Sequence, residues 1–417
     1  MDSTTACSTV DSSVTATVVD TNAMTDSSAM KPKLGFLDRF LAVFVFLAMV
    51  SGVLIGYFVP DAQVVLEKGE FAGVSGPVAA LLLIMMYPIL MDIKFESLPV
   101  VFRSRDIWKD IAINLVVNWI ISPLVMFGLA WAFLPDQPEL REGLILVGIA
   151  RCIAMVLLWI RLSNGDTQLG AILVALNALL QMALYAPISV LFLQSFHGGA
   201  QQTTSVATAS TYKSISISVA VFLGIPLGLA AITRLIFLKA KPLRFGRFKS
   251  MTAKEVYENV VVPVAAPLAL LGLLATIVIL FVAQGHHVVK QITSALRVAA
   301  PLVMYFPITF LGTLVFCWKL LPRAGVIFAT HESCLARLDS ESQQLKTPRK
   351  QQMPFNRATM HAFLAASNNF ELAIAIAAAQ NGAMSKQSLA TSVGPLIEVP
   401  VMLGLVWVAG WLEKRWD

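Results

Sequence analysis

The stretch LAVFVFLAMVSGVLIGYFVP (41–60) carries no charged side chain over 20 residues. A bilayer-spanning helix needs about 20 mostly apolar residues. Nine further segments are of the same kind, so the ten lie near 40–59, 74–92, 111–134, 142–160, 169–193, 214–237, 258–283, 296–320, 359–381 and 388–411. In hydrocarbon every backbone N–H and C=O must find its partner inside the protein, which leaves helices or closed barrels. These runs are continuously apolar and too long for tilted strands, so the expectation is all-α. Composition agrees: 57% of the 417 residues are hydrophobic and 13% charged, where soluble domains are about 25% charged.

Charge placement orients the chain. With the N-terminus inside, the inner pieces hold 24 of the 31 Lys and Arg, among them Arg103, Arg105, Lys239, Arg244, Arg323, Arg349, Lys414 and Arg415. The outer pieces hold six, Lys68, Arg141, Lys213, Lys290, Arg297 and Lys386, and the last is Arg151. This bias places both termini in the cytosol. It also accounts for the net charge of +6 without nucleic acid, because no soluble basic face exists. Of the first 30 residues, 13 are Ser or Thr, so 1–34 reads as a disordered cytosolic tail. Cys7, Cys152, Cys317 and Cys334 show no disulfide framework or paired metal spacing.

Landmarks recur between the halves. Pro88 aligns with Pro267, Pro123 with Pro307, Cys152 with Glu371 and Asn177 with Glu398, at offsets of 179, 184, 219 and 221. The jump falls across RLDSESQQLKTPRKQQMPFN (337–356), a polar cytosolic insertion. Five helices per unit is an odd number, so the units are antiparallel, the inverted repeat of secondary transporters. The reading is an all-α integral membrane protein of ten transmembrane helices in two inverted five-helix repeats. The fourth and ninth helices are expected to be discontinuous and to cross. The first repeat spans 35–213; the second spans 214–417 and contains the insertion 322–357.

The fourth segment is interrupted by GIARCIAM (148–155) and the ninth by AASNNFELAIA (365–375). Small and polar residues there compete for backbone hydrogen bonds and favour a break. Broken backbone at membrane depth is tolerated only where it lies in protein or lines a cavity, and paired breaks mark a binding site. A charge at mid-bilayer costs roughly 2.5–3.5 kcal/mol even on the mild insertion scale. Arg151, Glu371 and Glu398 each incur that cost, so they are expected to face one another or water. Cys152 beside Arg151 offers a soft thiolate ligand. Arg151 is expected to serve that sulfur or to pair with an acid. Asn368 and Asn369 join the binding set, Glu371 and Glu398 the proton-coupling set, and Asn118, Ser122, Asn177 and Ser367 are further cavity candidates. No nucleotide loop, metal cluster or nucleophile–base motif appears, so the chain is read as no enzyme, without a cofactor and driven by an ion gradient.

The strings YPILMDIKFES (87–97), NWIISPLVMFGLAW (118–131), REGLILVGIARCIAMVLLW (141–159), ASNNFELAIAIA (366–377) and VGPLIEVPV (393–401) resemble the arsenite efflux permeases of the bile acid/arsenite/riboflavin transporter superfamily, with the tail and insertion similar to fungal members. The resemblance implies export of trivalent arsenic, with antimonite a further candidate, in exchange for protons across the plasma membrane. It places the family's essential cysteine, the arsenic(III) ligand, on Cys152 and its essential glutamate on Glu371. The alternative on the same fold is a sodium-coupled organic anion symporter of the bile acid type, which gives Cys152 no task.

Overall fold

The computed structural model describes residues 40–59, 61–62, 66, 69–71, 74–91, 105–153, 155–195, 205–239, 256–290, 292–317, 353–382 and 385–415. The tail 1–34 and most of the insertion 322–357 lie outside the described residues. What is described is nearly all helical: α1 (Leu41–Phe58), α2 (Gly76–Met91), α3 (Arg105–Val116), α4 (Ser122–Phe133), α5 (Pro138–Ile149), α6 (Met155–Leu162), α7 (Thr167–Ser195), α8 (Ser205–Val219), α9 (Ile225–Lys239), α10 (Val262–Lys290), α11 (Ile292–Val315), α12 (Phe355–Ala366), α13 (Phe370–Asn381) and α14 (Lys386–Glu413). A two-stranded antiparallel ribbon, β1 (Glu70–Phe71) and β2 (Val74–Ser75), precedes α2. Among the described residues, six helical spans, counted across the π turns, are long and apolar enough to cross a membrane.

Three wide π turns interrupt otherwise continuous helix, at Val117–Ile121, Ala220–Gly224 and Tyr257–Val261. Each ends just ahead of a proline: Pro123, Pro226 and Pro263. A proline has no N–H to give, and its ring displaces the carbonyl four residues back. Those carbonyls belong to residues 119, 222 and 259, inside each turn, which widens to i→i+5 bonding to accommodate them.

The helices sort into two packed groups. In one, α2 packs on α9 and α10, and α1 lies against α10, where Gly52 and Gly56 meet the backbone of Val278 and Val282. In the other, α5 packs on α4 and α14, α11 on α12, α14 and α4, and α13 on α14. α8 runs along the seam between α7 and α13. The usual inside–outside pattern is reversed. Large apolar side chains such as Phe58, Leu229, Val264 and Trp407 are exposed, while Asn114, Asn118, Asn177, Gln181 and Glu398 are buried. That is the surface of a protein whose solvent is lipid.

Candidate functional site

The site is built from two interrupted helices. α5 stops at Ile149, and the backbone turns extended at Ala150 (φ −72°, ψ 114°) before α6 resumes at Met155. α12 stops at Ala366, Ser367 is extended (φ −83°, ψ 141°), and α13 starts at Phe370. Asn369 starts α13 by accepting a hydrogen bond on its side-chain oxygen from Leu372 N–H at 3.0 Å, the usual work of an N-cap asparagine.

The two breaks touch. Arg151 and Asn368 form an isolated antiparallel bridge, and Asn369 N–H donates to Ala150 C=O at 3.1 Å. The side-chain amide of Asn368 donates to Val147 C=O at 2.7 Å and Ala150 C=O at 3.2 Å. The Arg151 N–H finds Gln181 Oε1 at 2.7 Å, and Ser122 donates to Ala365 C=O at 3.2 Å. The carbonyls orphaned by the two helix ends are thus capped across the junction rather than by water.

Arg151 is fully buried. Its guanidinium donates to Gly148 C=O at the end of α5 and to Ala365 C=O (3.4 Å) at the end of α12, and it reaches the Tyr305 hydroxyl at 3.5 Å. Both carbonyls sit at helix C-termini, the negative ends of the backbone dipoles. The expected acidic partner is not among these contacts: Arg151 ion-pairs with neither Glu371 nor Glu398, because two helix ends already supply its counter-charge.

The opposite, positive ends of the other two half-helices hold the chemistry. Cys152 lies in the break, three residues ahead of Met155 where α6 starts. Glu371 lies in the first turn of α13. Glu398, reaching in from α14, accepts from the Ser367 hydroxyl at 3.0 Å. The break that holds Cys152 and the break that leads into Glu371 are bonded to each other through Arg151, Asn368 and Asn369, and Glu398 is tied to the second of them through Ser367. Glu371 and Asn369, without Cys152 or Glu398, also line a small recess of about 10 Å³, walled by Leu82, Met86, Phe222 and Leu372 at the seam between the two groups. Asn369 Nδ2 and Asn368 Oδ1 are buried without a partner among the described residues, so a donor and an acceptor stand ready for a guest. Among the described residues no three His, Cys, Asp or Glu could hold a metal ion together.

The remaining candidates lie elsewhere. Asn118 and Asn177 belong to a side-chain network on the α3 π turn. Asn114 and Asn177 exchange hydrogen bonds at 2.8 and 3.2 Å, Asn118 donates to Asn114 at 3.0 Å, and Trp119 donates to Asn177 at 3.2 Å. Ser122 and Ser367 spend their hydroxyls on Ala365 and Glu398. None of these four lines the recess beside Glu371. Sequence reasoning passed over Gln181, though it stands four residues after Asn177 on the same helical face. It also passed over Met86 and Phe222, whose apolar character carries no signal in a chain this hydrophobic.

Residues 79–291 match the family described as Sodium Bile acid symporter family. The chain is 37% identical over 391 residues to the arsenical-resistance protein Acr3 of Corynebacterium glutamicum, covering 94% of this chain and 93% of the relative. It is 29% identical over 386 residues to the arsenical-resistance protein Acr3 of Alkaliphilus metalliredigens, with coverage of 90% and 93%. An uncharacterized transporter of Synechocystis sp. is 30% identical over 392 residues, with coverage of 89% and 88%.

Proposed function

The chain belongs to the Sodium Bile acid symporter family, among its arsenical-resistance relatives, and from that premise we propose that it exports trivalent arsenic from the cytosol in exchange for protons. The observation that supports the proposal is the contact between the two helix breaks, which carry Cys152 on one side and lead into Glu371 on the other, with Glu398 bonded to Ser367 of the second. We read the chain as ten crossings in two inverted repeats, with both termini cytosolic, in the plasma membrane. Antimonite, the next trivalent metalloid, fits the same sulfur and carboxylates.

Arsenite near neutral pH is an uncharged trihydroxide. It enters the recess from the cytosol and exchanges one hydroxyl for the Cys152 sulfur, releasing water as the thiol proton leaves with that hydroxyl. Its remaining hydroxyls donate to ionised Glu371 and accept from Asn369. A single soft ligand grips loosely enough for release, whereas several thiolates would trap the metalloid. A proton arriving from outside neutralises the carboxylate and removes the acceptor, so proton and substrate compete for one site. Glu398, tied to the broken ninth helix, senses the same field. The α1, α2, α9 and α10 group and the remainder then rock about the junction.

One proton suffices energetically. A charge falling through 100 mV releases ~2.3 kcal/mol. At about 150 mV that becomes ~3.5 kcal/mol, a gradient of a few hundredfold at ~1.4 kcal/mol per decade.

The test is arsenite uptake into everted vesicles under an imposed proton gradient, with sodium absent and then substituted for it. Wild type is expected to accumulate arsenite without sodium, and Cys152→Ser to reach the membrane and accumulate none. Uptake by Cys152→Ser at the wild-type rate would remove the sulfur from the mechanism. Uptake that requires sodium would favour the organic-anion alternative.

A further inference from the structure

A second polar cluster lies off the junction, on α12 toward the side that charge bias assigns to the cytosol. His361 is 1% exposed, and its Nε2 lies 2.9 Å from Asp110 Oδ1 of α3. Arg357, one turn before His361, reaches Asp110 at 3.5 Å and Asp166 at 3.9 Å. Asp166 also starts α7 by accepting from Leu169 N–H at 3.0 Å. Cys317, just past α11, is near enough for Asp110 to act on it. Of the other helices packed on α12, α7 brings no charged side chain, the charged residue of α6, Arg161, is exposed, and the one charged residue of α11, Arg297, is paired with Asp136.

Two features make this more than a structural tie. With Asp110 ionised, Nε2 must carry the imidazole hydrogen that the carboxylate accepts. The bare nitrogen is then Nδ1, which is buried with no partner among the described residues, so the ring presents a lone pair without a donor inside the protein. The charge balance points the same way. Asp110 and Asp166 carry two negative charges against one guanidinium, so a neutral imidazole leaves the cluster one positive charge short, and one added proton closes it. An unneutralised charge is costly in such surroundings. The cluster also lies in the right place. His361 is six residues from Ser367 at the break, about 9 Å along the helix.

Resting on the proton-exchange reading above, we propose that His361 and Asp110 form the proton-release site of the exchanger. His361 Nδ1 takes the proton that has left the carboxylates of the junction and hands it to cytosolic water, while Asp110 and Arg357 hold the ring and balance its transient charge. The junction's carboxylates load the proton from outside, and this cluster unloads it inside.

Net export must release a proton, whereas exchange of arsenite for arsenite across the membrane need not. Proteoliposomes holding wild type, His361→Gln or Asp110→Asn are assayed for both processes with radiolabelled arsenite. Both variants are expected to lose about tenfold or more of proton-driven net transport, the ordinary weight of a proton-transfer group. Arsenite–arsenite exchange is expected to persist within about twofold of wild type, well inside that span. If both processes persist at wild-type rates, the cluster has no part in proton release. If both variants lose both processes together, the cluster serves folding alone, and the proposal is overturned. If wild type itself performs neither, the transport reading fails and not this inference.

Discussion

Arg151 offers the sharpest test of how the junction is held. In Arg151→Met the stem of the side chain is retained and the donors are lost. The guanidinium serves Gly148 C=O and Ala365 C=O, both at ends of broken helices, inside protein where water cannot replace it. A buried carbonyl left without its donor costs about 1–3 kcal/mol, so the pair costs about 2–6 kcal/mol. Arg151→Lys keeps the charge, but a single ammonium replaces a planar fork that spans two acceptors. It should recover one carbonyl and lose about 1–3 kcal/mol. The assay is the melting temperature of the detergent-solubilised protein, with arsenite uptake measured in parallel. The expected order of stability is Arg, then Lys, then Met, with uptake falling in the same order. A melting temperature in Arg151→Met within about 1 °C of wild type, about 1 kcal/mol or less for a chain of this length, would refute the clasp. Lost uptake with melting unchanged would make Arg151 a substrate ligand instead.

Gly394 in α14 lies under the Phe370 ring, so a Cβ there would overlap it. Gly394→Ala is expected to cost about 1–3 kcal/mol and to slow uptake by moving the first turn of α13 that carries Glu371; Phe370→Leu in the same chain should restore part of both, read by melting and uptake together. Arg297 beside Asp136 holds that carboxyl below its ordinary 3.8. A lowered folded-state value means the pair stabilises above that ordinary value and ceases to as pH falls through and below it. Both side chains are largely solvent-exposed, so Asp136→Asn is expected to melt almost with wild type near pH 7, and any small difference should vanish in acid; a large gap at neutral pH would contradict the solvent-screened reading.

How much of this was legible without coordinates depends on the kind of interaction. The interruptions at 150–153 and 367–369 could be read because small and polar residues stand out against an apolar run. Cys152, Glu371 and Glu398 could be singled out because the cost of polar atoms in lipid leaves few accidents. The partners of Arg151 could not be read. They are backbone carbonyls, which every residue owns, and only the geometry of two helix ends selects Gly148 and Ala365. Nor could the His361–Asp110 contact, since 251 residues separate the pair and Asp110 falls just outside the apolar window of its helix. The π turns are an intermediate case. The prolines were visible, but whether a helix kinks or widens is decided by the neighbours it packs against.

The arrangement of half-helix ends bears on which ion can couple to transport. Discontinuous helices in transporters offer two kinds of site: positive N-terminal ends for anions or electron-rich groups, and C-terminal carbonyls with unwound backbone for a coordinating cation. Here the carbonyl side is occupied from within. Gly148 and Ala365 are bound by Arg151, Val147 and Ala150 by the Asn368 amide, and Ala150 again by Asn369 N–H. A sodium ion would need several of those oxygens at once, and a permanent guanidinium already stands among them. The N-terminal side keeps its sulfur and carboxylates, which take up a proton or the hydroxyls of a neutral solute. In the exchange proposed above, that occupancy favours a proton at Glu371 and Glu398 over a second cation among the carbonyls.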